Sequence, residues 1–80
     1  MGKLVEAQVS VEANGHGPAR FWWRQRWVKV DRVVEEWTDA GAWWDGEREK
    51  TFYRVLSARG GVYELYREEP GRWVLYKVYD

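Results

Sequence analysis

Thr51-Phe52-Tyr53-Arg54-Val55-Leu56-Ser57-Ala58, Gly60-Gly61, Val62-Tyr63-Glu64-Leu65-Tyr66-Arg67, Pro70-Gly71 and Arg72-Trp73-Val74-Leu75-Tyr76-Lys77-Val78-Tyr79 make up a C-terminal stretch whose reading decides the fold class. Three runs rich in β-branched and aromatic residues are separated by two short turn signals. Gly60-Gly61 permits the positive φ of a tight hairpin, and Pro70-Gly71 stands in the order that a type II turn requires. Three strands joined by two short turns form an antiparallel meander.

Working toward the N-terminus, the period stays close to two. Val5, Ala7, Val9, Val11 and Ala13 are apolar at alternate positions, with Glu6, Gln8, Ser10 and Glu12 between them. That alternation reads as one long half-buried strand. Asn14-Gly15-His16-Gly17-Pro18 interrupts it. A second strand is expected from Ala19 to Arg24 and a third from Trp27, with Gln25-Arg26 as the tight connection. The middle admits two readings. Val30, Val33, Val34 and Trp37 fall at helical spacing, with Asp31 as a cap and Gly41 as a stop, which would give a short helix around 31–40. A long bent strand from 27 to 37 is preferred, because Trp27-Val28-Lys29-Val30 runs straight into it and β-branched valines are mediocre helix formers. Residues 38–49 then form a loop carrying Trp43-Trp44 and the turn Asp45-Gly46. The expected fold is mainly β: five to six antiparallel strands in a curled sheet or a small SH3-like barrel, closure being one way to remove exposed edges.

Eighty residues make one domain, here 1–80. A chain of this size buries roughly 60% of the surface its unfolded form exposes, so its stability margin is thin. It has no cysteine and a single histidine, His16, which rules out disulfide staples and thiolate metal sites. It has aromatic mass instead: seven Trp, five Tyr and two Phe. Each ring can bury roughly 150–250 Å², enough to give a small domain its core without covalent help. No apolar run approaches the roughly 20 residues that span a bilayer. The N-terminus alternates where a signal segment would be continuously apolar. A soluble, cytoplasmic protein without membrane contact is expected.

Catalytic chemistry finds little to work with. The hydroxyls Ser10, Thr38, Thr51 and Ser57 have no G-x-S-x-G context, and His16 sits in a glycine-rich loop. Gly15-His16-Gly17 only superficially begins a phosphate loop. The acids Glu35, Glu36, Asp39, Asp45, Glu47 and Glu49 lack calcium-loop spacing and read as a solvated acidic segment. No catalytic residue, metal ligand or cofactor is expected.

Charge is balanced, thirteen basic residues against thirteen acidic, but it is not evenly spread. Arg20, Arg24, Arg26, Lys29 and Arg32 fall in a segment whose only acid is Asp31 and which also carries Phe21, Trp22, Trp23 and Trp27. Cations interleaved with aromatics suit single-stranded DNA or RNA, cations for phosphates and rings for bases. Alternation puts Trp22 and Arg24 on one face, with Phe21, Trp23 and Gln25 on the other. The competing reading is structural: the arginines cover indole faces and pair with the acidic loop. Trp43-Trp44 is a second candidate surface, suited to a protein partner or a stacked sugar, or else to capping the core.

Trp27-Val28-x-Val30-x-Arg32-Val33-Val34-x-x-Trp37, Gly41-x-Trp43-Trp44, Tyr53-Arg54-Val55, Tyr63-Glu64-Leu65-Tyr66 and Arg72-Trp73-x-Leu75-x-x-Val78-Tyr79-Asp80 together resemble a small bacterial domain family of unknown function. Its members occur both as short free-standing proteins and near Y-family DNA-polymerase-like proteins of the mutasome. The resemblance covers residues 19–80 and is carried mainly by aromatic spacings. It implies an accessory role in damage-tolerant DNA synthesis, with a DNA-polymerase-like protein as a partner, and it transfers no site residues. The expected function is a non-catalytic accessory domain that binds nucleic acid through Arg20, Trp22, Trp23, Arg24, Arg26, Lys29 and Arg32. The alternative is a module that docks a repair or replication protein through Trp43, Trp44 or a strand edge.

Overall fold

A computed structural model describes residues 2–15, 17–39, 49–68 and 71–79. Among them are seven strands and no helix: β1 (Gly2–Gln8), β2 (Val11–Asn14), β3 (Gly17–Trp23), β4 (Arg26–Asp39), β5 (Lys50–Ser57), β6 (Val62–Glu68) and β7 (Arg72–Tyr79). They form one antiparallel sheet in the order β1-β7-β6-β5-β4-β3-β2, curled into a half-barrel. The C-terminal meander is present as read, β5-β6-β7: β5 and β6 pair without a break from Lys50↔Glu68 to Leu56↔Val62, and β6 pairs β7 from Val62↔Tyr79 to Glu68↔Arg72 with one register shift between Glu64 and Leu65.

Three expectations need correction. The sheet has seven strands, not five or six. Residues 31–39 are strand, so the bent-strand reading holds, and the helical spacing of Val30, Val33, Val34 and Trp37 reflects bulges instead. Register shifts between Val30 and Arg32 and between Val33 and Glu35 each insert a residue, which breaks simple alternation and bends β4. The N-terminal stretch is two strands, because the chain changes partner between Val9 and Ser10. Val9 N–H donates to the Trp73 carbonyl of β7 at 3.2 Å, while the Ser10 carbonyl accepts from Trp22 N–H of β3 at 2.9 Å. Adjacent residues thus hold opposite ends of the sheet and strap its two edges together at one corner.

The second hairpin also differs in detail. Its turn is Arg24-Gln25, one residue earlier than read, and both residues have positive φ, 52° and 64°. Two positive-φ central residues are the pattern of a type I′ hairpin turn, whose twist matches that of the flanking strands. Neither residue is the Asn or Gly that such turns favour.

Curling places one face inside. Phe21, Val55, Leu65 and Leu75 are fully buried and, with Val28 and Tyr53, make the core. Val5, Val9, Val11, Trp23, Val30, Val33, Tyr63, Trp73 and Val78 pack around them. Phe21 meets Tyr63 edge-on at 5.1 Å, and Tyr53 leans on Trp73 at 5.5 Å. Five aromatic residues, Phe21, Trp23, Tyr53, Tyr63 and Trp73, thus belong to the core or pack against it.

Candidate functional site

β3 and β4 form a hairpin whose two faces have opposite roles. Phe21 pairs with Val28 and both are buried. Alternation then turns Trp22 and Trp27, directly opposite one another, to the outer face. They remain 43% and 39% exposed, the two largest side chains among the exposed hydrophobics. Their rings meet edge-to-face at 5.4 Å. The pair is held by its neighbour: the Arg20 guanidinium lies 4.4 Å from the centre of the Trp27 ring, within cation–π range.

Arg20 is itself anchored. Its Nε and Nη2 each donate to Glu12 of β2 at 2.9 Å, a two-pronged ion pair. Those hydrogen bonds, more than the coulombic attraction, hold the Glu12 carboxyl below its ordinary value and the Arg20 guanidinium above its own. Both groups are well exposed, so the pair orients the Arg20 side chain over Trp27 more than it stabilises the fold.

The remaining expected residues divide. Lys29 stands across from Arg20 on the same face as the tryptophan pair. Arg24 occupies the turn and its guanidinium lies 5.7 Å over the Trp23 ring. Trp23 faces inward and packs against the core, so it is a wall and not a platform. Arg26 pairs with Trp23 beside the turn. Arg32 lies beyond the first bulge of β4, opposite Leu56, apart from the tryptophan pair. The hairpin thus gathers Arg20, Trp22, Arg24, Arg26 and Lys29. It adds Trp27, which a hairpin turn placed at residues 24 and 25 would have pointed to. Trp43 and Trp44 lie outside the described residues, as does His16.

Sequence reasoning also passed over a second aromatic group, on the outer face of β4 to β7. Trp37 stacks on Phe52 at 5.3 Å with planes 2° apart, and Phe52 contacts Tyr66 and Tyr76 at 5.2 and 5.6 Å. Beside it, Glu64 is buried on the sheet. One of its carboxylate oxygens accepts from Arg54 Nη2 and Nε at 2.9 and 3.1 Å and from the Tyr79 hydroxyl at 2.6 Å. Arg54 reaches on to Glu35 at 2.9 Å. Those contacts satisfy the buried charge, so the group reads as a built structural network. Of the acids that the sequence grouped together, Glu35 is thus an ion-pair partner. Among the described residues no three of Asp, Glu and His come together in a way that would hold a metal ion.

No curated protein and no solved structure matches this chain. A family model does, over residues 3–80. The match takes in β1 and β2, which the aromatic spacings of residues 19–80 had not reached, and this agrees with the strap being integral to the sheet. The chain belongs to the family described as DUF6504, a domain of unknown function.

Proposed function

We propose that this chain is a non-catalytic accessory domain that binds single-stranded nucleic acid on the outer face of the β3–β4 hairpin. One observation carries the reading: Trp22 and Trp27 sit side by side in solvent, with Arg20 and Lys29 on the same face and Arg24 and Arg26 at the adjoining hairpin tip. Leaving two indoles half in water forfeits burial that a thin-margined domain could use, at about 25 cal/mol for each Å². The loss is explained if the rings serve as a stacking platform. Arg24, Arg26 and Lys29 make no ion pair among the described residues, so their charge is free to meet phosphates. The setting implied by the family resemblance, beside a DNA-polymerase-like protein in damage-tolerant synthesis, is one in which single strands are exposed.

Fluorescence anisotropy of a labelled single-stranded oligonucleotide at 50 and 200 mM salt tests it. The expected result is micromolar binding at the lower salt and a loss of roughly tens of fold at the higher, since each phosphate contact releases counterions. Trp22→Ala should remove about 1–3 kcal/mol of the binding, the worth of one stacked base. Binding that is indifferent to salt would sink the reading. No binding at either salt moves the assignment to docking of a repair or replication protein.

A further inference from the structure

β4 leaves β5 early. Its pairing with β5 begins at Val30, and the last bond between them is Ala58 N–H to the Lys29 carbonyl at 2.9 Å. Arg26, Trp27 and Val28 therefore pair only with β3, and a cleft of about 200 Å³ opens between them and the β5–β6 turn. Arg26, Trp27, Lys29, Arg59 and Tyr63 line it over a buried floor of Val28 and Ser57. A second cleft, of about 460 Å³, adjoins it around the hairpin tip and shares Arg26 and Tyr63. Lys3, Arg24 and Trp23 add to its lining. Every charged side chain on the two clefts is basic, and none makes an ion pair among the described residues.

We propose that these two clefts form a continuous phosphate-binding track around the hairpin tip, with Lys3 and Arg59 as binding residues. The proposal rests on the nucleic-acid reading for its ligand, and it places the backbone where that reading placed only the bases. Five cations drawn from β1, β3–β4 and the β5–β6 turn repel one another, and no acid in either cleft offsets this. An anion threading both clefts removes the repulsion. Trp27 contributes to the first cleft and to the exposed tryptophan pair, so a strand whose phosphates lie in the track keeps its bases within reach of the rings. The β5–β6 turn is rigid enough to present Arg59: Ser57 N–H donates to the Gly61 carbonyl at 2.8 Å, and Gly61 N–H donates to the Ser57 hydroxyl at 3.0 Å.

Two titrations test the track, with Arg59→Gln and Lys3→Gln as variants whose urea midpoints are first checked against the parent. In the first, inorganic phosphate is added at constant ionic strength, with chloride as the control, and amide and indole N–H shifts are followed by NMR. Saturable shifts at Lys29, Arg59 and the Trp27 indole, lost in Arg59→Gln, are expected. Shifts that chloride reproduces, or that never saturate, overturn the proposal. In the second, the oligonucleotide titration is repeated. Each variant should weaken binding equally across sequences and lower the slope of log affinity against log salt by about 0.7, the contribution of one single-strand phosphate. If the parent binds and both variants match it in affinity and slope, the track is wrong while the hairpin platform stands. If phosphate saturates the clefts and no oligonucleotide binds, the platform is wrong and the track serves a free phosphate compound.

Discussion

A methyl group at Gly17 would stand 3.1 Å from the edge of the Tyr53 ring and 3.3 Å from Val33, and the backbone there has a φ of +127°. Both facts ask for glycine, one for space and one for conformation. Gly17→Ala is expected to cost of order 1–3 kcal/mol in urea unfolding, since the strain cannot be relieved without moving a core ring. Two tyrosines, Tyr53 on β5 and Tyr79 on β7, give a pH signature. The Tyr79 pKa is raised above 10.0, first by its hydrogen bond to Glu64 and then by burial, and that of Tyr53 is raised chiefly by burial. A raised folded value favours the protonated form in the fold. The stabilisation is therefore fully present below pH 10.0 and is lost as pH rises through the raised values. Stability should fall on the alkaline side of that point, and Tyr79→Phe should flatten the fall, leaving only the part due to Tyr53. An unchanged alkaline slope in Tyr79→Phe would show that the Tyr79–Glu64 contact is not linked to folding.

At the scale of elements, the β3–β4 turn is the weak joint. Arg24 and Gln25 both take the left-handed backbone that Asn-Gly adopts with little strain, and nonglycine residues held there cluster at functional sites. Gln25→Gly should raise stability by about 0.5–2 kcal/mol without changing oligonucleotide affinity. Arg24→Asn should also stabilise the hairpin, but it should weaken binding by removing a cation. If both variants bind alike, Arg24 is not part of the site. The same turn shows where the sequence could be read and where it could not. The β5-β6-β7 turns announce themselves through Gly60, Gly61 and Gly71, so the meander was legible. Arg24-Gln25 carries no turn chemistry, which put the turn a residue late and hid the pairing of Trp22 with Trp27. Val9-Ser10 was invisible because Val5, Val9 and Val11 all pack on the core, so the apolar pattern persists while the hydrogen-bonding partner changes. The outer aromatic group was missed for a related reason. Phe52 and Tyr66 alternate with the core residues Tyr53 and Leu65, and a strand apolar on both faces does not say which face is inside. The basic–aromatic segment was legible as composition, but Lys3 and Arg59 join it only through the fold.

At the scale of the molecule, the half-barrel depends on the strap. Val9→Pro removes the N–H that bonds the Trp73 carbonyl. The expected result is a loss of about 1–3 kcal/mol and faster hydrogen exchange along β1 and β7, with β5 and β6 still protected. Uniform loss of protection would mean that the sheet opens as one unit. The strap also sets a timetable for the growing chain. Of the seven strands β1 is made before the others, yet its strand partner among the described residues, β7, is made after them, with Gly2 ending opposite Tyr79. Until then β1 is an unpaired edge, and the half-built sheet stays open at the corner that Val9 and Ser10 will join. Pairings between such distant residues are slow to form, on the order of milliseconds to seconds in small β domains. Closure is thus a late, single event, and the interval before it is when a neighbouring strand from another chain has its best opportunity to intrude.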